Sequence, residues 1–210
     1  MEHEFDEPYW QGHWEGTPLR GAADGALPAP NPHLVAETRD LRPGTALDAG
    51  CGEGDEARWL AAQGWQVTAT DISAEALGRA AAHAGTDATQ PAIRWVEADL
   101  TVWDPGVQFD LVTTHYAHPT LPQLAFYDRL CGWVAPGGTL LIVGHLDGAG
   151  HGHGSPEAAS VTVSAVTAKL AASTWEVITA AERVRTMTAS DGRSVRLDDV
   201  VVRALRRSAT

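Results

Sequence analysis

Residues 47–54 read Leu47, Asp48, Ala49, Gly50, Cys51, Gly52, Glu53, Gly54, an apolar strand that passes directly into a glycine-rich turn. A helical stretch over 56–63 follows, with Ala57, Leu60 and Ala61 in register. Glycines at 50, 52 and 54 let the backbone approach a ligand where a Cβ would intrude, and the helix start offers free N–H groups. Strand, glycine turn and helix in this order form the opening unit of a nucleotide-binding α/β fold. The spacing is Gly-x-Gly-x-Gly, and Asp55 stands where a dinucleotide fingerprint has its third glycine. An acidic side chain there repels a pyrophosphate. With Asp48 closing the strand, the loop suits a ligand whose near end is a cationic amino acid.

Working outward, residues 65–70 read as a second strand, and Ser73 as the N-cap of an alanine-rich helix to about residue 84, with Glu75 in its first turn. Residues 93–96 and 109–114 are the third and fourth strands, 122–134 a helix, and 139–143 a fifth strand after the turn Pro136, Gly137, Gly138. Such alternation predicts a mostly parallel sheet covered on both faces. Beyond it come a glycine- and histidine-rich loop over 144–156, a helix over 160–171, and two strands over 175–184 and 195–205 around Asp191 and Gly192. That hairpin predicts an antiparallel pair at the end of the sheet. Upstream, 33–41 has the spacing of a short helix. Residues 1–32 place Phe5, Tyr9, Trp10 and Trp14 before a run of prolines and glycines, which reads as an arm or lid on a single domain of 33–210.

Composition sets the boundaries. A chain of 210 residues, 44% hydrophobic and 20% charged, folds as one globular domain. Its net charge of −12 disfavours nucleic acid and anionic membranes as partners, and favours a neutral or cationic small molecule. Residues 139–143, the most apolar strand-like run, are far short of a membrane span of about 20 residues. The acidic start is unlike a secretory signal, so a cytoplasmic monomer or homodimer is expected. Cys51 and Cys131 lie in no Cys-x-x-Cys pair or zinc spacing, and no metal is assigned.

Asp71 follows the second strand roughly 20 residues past the glycine turn, where a carboxylate accepts both hydroxyls of a ribose. Capping of the next helix is its plain alternative. Ile72 is placed to pack on an adenine ring; Asp99 is placed to accept from the exocyclic amine, and Leu100 to flank the ring. Five of the nine histidines, His115, His118, His145, His151 and His153, fall after the fourth and fifth strands, on the side of the sheet where ligands bind. His115 is expected against the cofactor, and His118 and His145 as general-base or orienting groups. His151 and His153 carry the alternative of a metal-sensing loop. Trp14 and Trp10, in the arm, have two readings, closing over the site or stapling the arm to the core.

Together these residues resemble the class I S-adenosylmethionine-dependent methyltransferases over about 45–144: the glycine motif Leu47 to Gly54, the ribose acid Asp71, the adenine-loop acid Asp99, and the turn Ala135, Pro136, Gly137, Gly138 before the fifth strand. The arm with Tyr9, Trp10 and Trp14, followed by Asn31 and Pro32, is similar to bacterial small-molecule members of the thiopurine and tellurite-resistance group. The resemblance implies a Rossmann-like, doubly wound, seven-stranded sheet with its last pair antiparallel. It also implies S-adenosylmethionine as methyl donor, S-adenosylhomocysteine as product, and a small-molecule acceptor of undetermined O, N, S or metalloid atom. The expected cofactor contacts are Trp14, Asp48, Gly50, Cys51, Gly52, Asp71, Ile72, Asp99, Leu100 and His115. Two alternatives remain: a non-catalytic module that binds the cofactor or senses metal through the histidine loop, and a nicotinamide-dependent oxidoreductase, against which Asp55 speaks.

Overall fold

Four of the five residues of Thr45–Ala49 (β1) are buried, so this run can exist only as a central strand covered on both faces. A computed structural model of the protein, describing residues 5–18, 28–83, 93–146, 160–188 and 194–208, places it there. Parallel neighbours flank it: Gln66–Asp71 (β2) with Arg94–Glu97 (β3) on one side, Phe109–His115 (β4) with Val134–Leu146 (β5) on the other. Trp175–Thr188 (β7) and Ser194–Arg206 (β8) close the sheet as an antiparallel pair, giving the order β3-β2-β1-β4-β5-β8-β7. The expected seven-stranded sheet is thus present, and an eighth strand of two residues, Ser160–Val161 (β6), pairs with the end of β5.

β5 shows how the two layers arise. Its alternate residues face opposite sides. Leu140 and Ile142 join Leu47, Val112, Phe126 and Leu130 on one face, while Leu141 and Val143 join Leu60, Trp65, Leu111 and Val201 on the other. Pro32–Thr38 (α2), Asp55–Ala62 (α3), Ala74–His83 (α4) and Gln123–Trp133 (α5) supply the covering layers. Ser73 caps α4 as expected, its Oγ accepting from the Ala76 amide at 3.2 Å.

Three departures from the sequence reading have physical causes. The arm contains a helix, Glu7–Gly16 (α1), started by the Asp6 cap and a proline in its first turn. It buries no residue of its own, so no apolar periodicity announces it. The helix expected over 160–171 is β6 followed by a short Val163–Thr167 (α6), because Thr162 caps onto the Ala165 amide and starts the helix late. β5 begins directly after α5, the Pro-Gly-Gly turn being absorbed as an irregularity opposite Phe109 and Leu111. The Asp191 and Gly192 turn and the histidines His151 and His153 lie outside the described residues. Among the described residues, no helix is long and apolar enough to cross a membrane.

Candidate active site

In an open α/β sheet the strand order reverses beside the first strand, and the crevice outside the carboxyl ends opens there. Here the reversal lies between β1 and β4, and a cavity of about 590 Å³ opens over it. Its walls include Trp14, Gly50, Cys51, Gly52, Asp71, Ile72, Asp99, Leu100, His115, His118 and His145. Residues scattered over more than 130 positions of sequence therefore meet on one surface.

The glycine loop is held by its backbone. The Gly50 and Cys51 amides both donate to the Thr70 carbonyl at 2.9 Å, tying the loop to β2. Gly50 has φ +78°, and a Cβ there would lie 2.3 Å from the Ala117 Cβ. Asp71 completes the bracing: one carboxylate oxygen accepts from the Gly52 amide at 2.8 Å and the other from the Ser73 amide at 3.0 Å. Asp71 thus braces the turn and the approach to α4, whose cap is Ser73, and it lines the cavity. Burial raises its carboxyl above the usual range.

Asp99 turns one oxygen inward to the Thr101 amide at 2.8 Å, leaving Oδ2 for a ligand, with Leu100 beside it. Asp48 departs from the expectation of direct contact. It is 1% exposed, lies behind the loop and is absent from the cavity wall. Burial, then the nearby Glu56 and Asp71 charges, push its carboxyl well up. Cys51 does line the cavity, but burial and the Asp48 charge raise its thiol, which rules against a thiolate nucleophile. Asp55 sits in the first turn of α3 paired with Arg58.

A belt of rings forms the far wall. Tyr116 and His145 lie 4.7 Å apart between centroids, His145 and His118 stack at 5.4 Å, and Phe5 and Trp10 continue past His118 at 5.9 and 6.4 Å. His118 Nδ1 meets Gln123 Oε1 at 3.5 Å, and Gln123 donates its amide to the Ala117 carbonyl at 2.9 Å. Burial lowers the His118 pKa. His115 has both ring nitrogens sealed from solvent and without partners among the described residues.

The arm covers this cavity. Trp10 Nε1 donates to the His118 carbonyl at 3.1 Å, Trp14 rests over Gly52, and Arg79 reaches the Thr17 carbonyl at 2.9 Å. Gln11 Oε1 accepts from the Ser73 hydroxyl at 3.0 Å and the Glu75 amide at 3.2 Å, so the arm helps cap α4. Gln11→Ala is therefore expected to cost about 1 kcal/mol of local stability, read as faster amide exchange at Glu75 with the rest of the sheet unchanged.

Sequence reading missed the opposite corner. Asp199, fully buried, accepts from Arg185 at 2.8 Å and meets His33 at 3.1 Å. Burial alone would raise its carboxyl, but hydrogen bonds from His33 and Tyr116 and the Arg185 charge outweigh this and hold it low. Tyr116, with φ +56°, accepts from Arg185 Nε and Nη2 at 3.1 and 3.0 Å, and Asn31 reaches it at 3.4 Å. Arg185 and Asp199 are 14 positions apart across the β7–β8 hairpin, but their contacts to Tyr116 and His33 span 69 and 166 positions, and no local spacing connects them.

Residues 46–138 match the family model of the methyltransferase domain. The trans-aconitate 2-methyltransferase of Streptomyces avermitilis is 35% identical over 128 residues, covering 56% of this chain and 46% of that protein, so the chain spans about half the length of that relative. A probable thiol methyltransferase of Arabidopsis thaliana is 33% identical over 138 residues, covering 63% of this chain and 61% of that one. Among solved structures, TehB from Haemophilus influenzae superposes with a TM-score of 0.70 at 16% identity, over 87% of this chain and 64% of that one. The matched segment begins in β1 and ends in β5, and so contains the whole switch point with its glycine loop; over it the chain is similar to methyltransferases in sequence, and its sheet has the Rossmann-like order of the solved methyltransferases.

Proposed function

We propose that the protein transfers a methyl group from S-adenosylmethionine to a small-molecule acceptor, releasing S-adenosylhomocysteine. The observation that carries this reading is the convergence on one cavity wall of the glycine loop, the Asp71 carboxylate that braces it, and the open Oδ2 of Asp99. The relatives support a small acceptor, being named for trans-aconitate and for a thiol.

The residues fit the cofactor in kind. The cavity of about 590 Å³ falls within the usual range for small-ligand sites, about 300–1,000 Å³. Asp71 would take the ribose hydroxyls, Asp99 the adenine amine, and Ile72 and Leu100 the ring faces, with Trp14 lying over Gly52. Asp48, from behind, and His115, beside the loop, complete its surroundings. When bound, the sulfonium supplies an activated methyl group: the acceptor lone pair bonds to the methyl carbon as the carbon–sulfur pair returns to sulfur.

His118 handles the proton of an acceptor that still carries one. Gln123 is oriented by its bond to the Ala117 carbonyl, so its oxygen faces His118 Nδ1. With Nδ1–H donating to that oxygen, Nε2 is the nitrogen whose lone pair would act. His145 stacks against His118 and Tyr116 and orients both rings. For an acceptor already ionised, alignment alone suffices.

Calorimetric titration tests the reading. Micromolar binding of S-adenosylmethionine and S-adenosylhomocysteine is expected, weakened about ten- to a hundredfold in Asp71→Ala, since bonds to a buried carboxylate are worth about 1.5–3 kcal/mol. Absence of binding by the unaltered protein overturns the reading. Binding without methyl transfer to any small thiol, phenol, amine or acid favours the non-catalytic module.

A further inference from the structure

Resting on the methyltransferase reading, we infer that the acceptor carries a carboxylate or an equivalent planar oxyanion, and that Arg185 selects it. The inference starts from where the chain places this guanidinium. The last β5–β8 pair is His145 with Asp199, whereas Arg185 pairs with Leu197, beyond that point. The β7–β8 hairpin thus overhangs the end of β5, and both Arg185 and Leu197 line the cavity there.

Charge on the described cavity wall is divided. The acids Glu53, Asp55, Glu56, Asp71 and Asp99 line it from the glycine loop, the first turn of α3 and the ends of β2 and β3, while Arg185 is the sole lysine or arginine among the described lining residues. The cation therefore comes from the β7–β8 hairpin, a different wall of the cavity from the glycine loop.

Its bonding geometry leaves it available. Nε donates to Asp199 and to the Tyr116 hydroxyl, and Nη2 donates to the same hydroxyl. Nη1 donates to nothing among the described residues, and the side chain is 23% exposed. Asp199 and Tyr116 hold the group side-on, and the Nη1 edge remains for a ligand. Were neutralising Asp199 the whole purpose, the end-on fork would be the expected geometry. A guanidinium fixed this way loses little entropy on binding a planar oxygen pair, which is the chemistry arginine recognises best. The rings of Tyr116, His145 and His118 beside it provide an apolar wall for the rest of a small, flat acceptor. This places the anionic group locally and revises the expectation, drawn from net charge, of a neutral or cationic acceptor.

The experiment is calorimetry on the protein saturated with S-adenosylhomocysteine, titrated with hydroxybenzoate and mercaptobenzoate and with the matching carboxamides. The carboxylates are expected to bind at least tenfold tighter than their amides. Arg185→Met is expected to abolish that preference and Arg185→Lys to keep only part of it, since lysine retains charge without the fork. Retained S-adenosylhomocysteine affinity shows that each variant is folded; if Arg185→Met loses it, the comparison is made with Arg185→Lys alone. Equal binding of acids and amides by the unaltered protein, or a preference unchanged in the variants, overturns the inference while leaving the methyltransferase reading intact. Failure of the unaltered protein to bind S-adenosylhomocysteine overturns that reading and this inference with it.

Discussion

Gly50→Ala is expected to destroy the cofactor site and to lower stability by about 3 kcal/mol or more. Two costs add. The backbone at residue 50 has φ +78°, and an L-residue in that left-handed region pays about 1–2 kcal/mol relative to glycine. The new Cβ would also stand 2.3 Å from the Ala117 Cβ, well inside contact distance, so either the loop or the segment after β4 must move. Movement of the loop breaks the paired amide bonds to the Thr70 carbonyl and carries the Gly52 amide away from Asp71. Movement of the other side displaces Ala117, whose carbonyl orients Gln123 and through it His118. Urea unfolding and S-adenosylhomocysteine titration measure the two losses. The double variant Gly50→Ala, Ala117→Gly relieves the clash and leaves the dihedral cost, so it is expected to recover part of the stability and some binding. No recovery at all would mean that the dihedral strain alone accounts for the loss.

The elements that order the sheet were legible because they are local. Leu47 to Gly54 shows in eight residues a strand, a turn that tolerates no side chain, and a helix start, and Asp71 stands at the distance one helix and one strand require. The buried alternation of β5 is visible in the same way, as residues two apart share a face. The acceptor corner was not legible, because it depends on contacts that no local period encodes. Arg185 lies just past the strand read over 175–184 and carries no sign of a role until β7 runs on to Thr188 and the overhang of the hairpin brings it over the cavity. Tyr116 follows His115 without any sign that its backbone turns left-handed. Asp48 shows the converse error: its position at the end of β1 suggested ligand contact, but successive side chains of a strand alternate, and its carboxylate points behind the loop. The helix of the arm escaped detection because it lies on a ligand cavity and has no apolar stripe to show.

Acid is expected to destabilise the protein through His115 well before its exposed carboxylates titrate. Burial, reinforced by the nearby positive charges of His33 and Arg185, pushes this imidazole down to about 3. In the unfolded chain it titrates near 6.5. Between those values the unfolded state binds a proton that the folded state refuses, so stability falls as pH falls, at about 1.4 kcal/mol per unit for this one group. The contribution is complete above about pH 6.5, about 2 kcal/mol smaller at pH 5, and lost altogether near pH 3. His118, also lowered by burial, acts in the same direction. Asp48 and Asp71, raised by burial, act oppositely, since a carboxyl that holds its proton more tightly when folded gains stability as pH falls. Their presence makes the raw curve a sum, and the comparison of two proteins isolates the histidine. Urea midpoints measured from pH 7.5 to 5 should fall more steeply for the unaltered protein than for His115→Leu, whose side chain cannot titrate. The difference between the two slopes should approach the single-proton value below pH 6, and parallel curves would show that the imidazole is protonated in the folded state. A neutral His115 is also what the proposed function requires, because an imidazolium beside the cavity would repel the cationic sulfonium that the acidic walls attract.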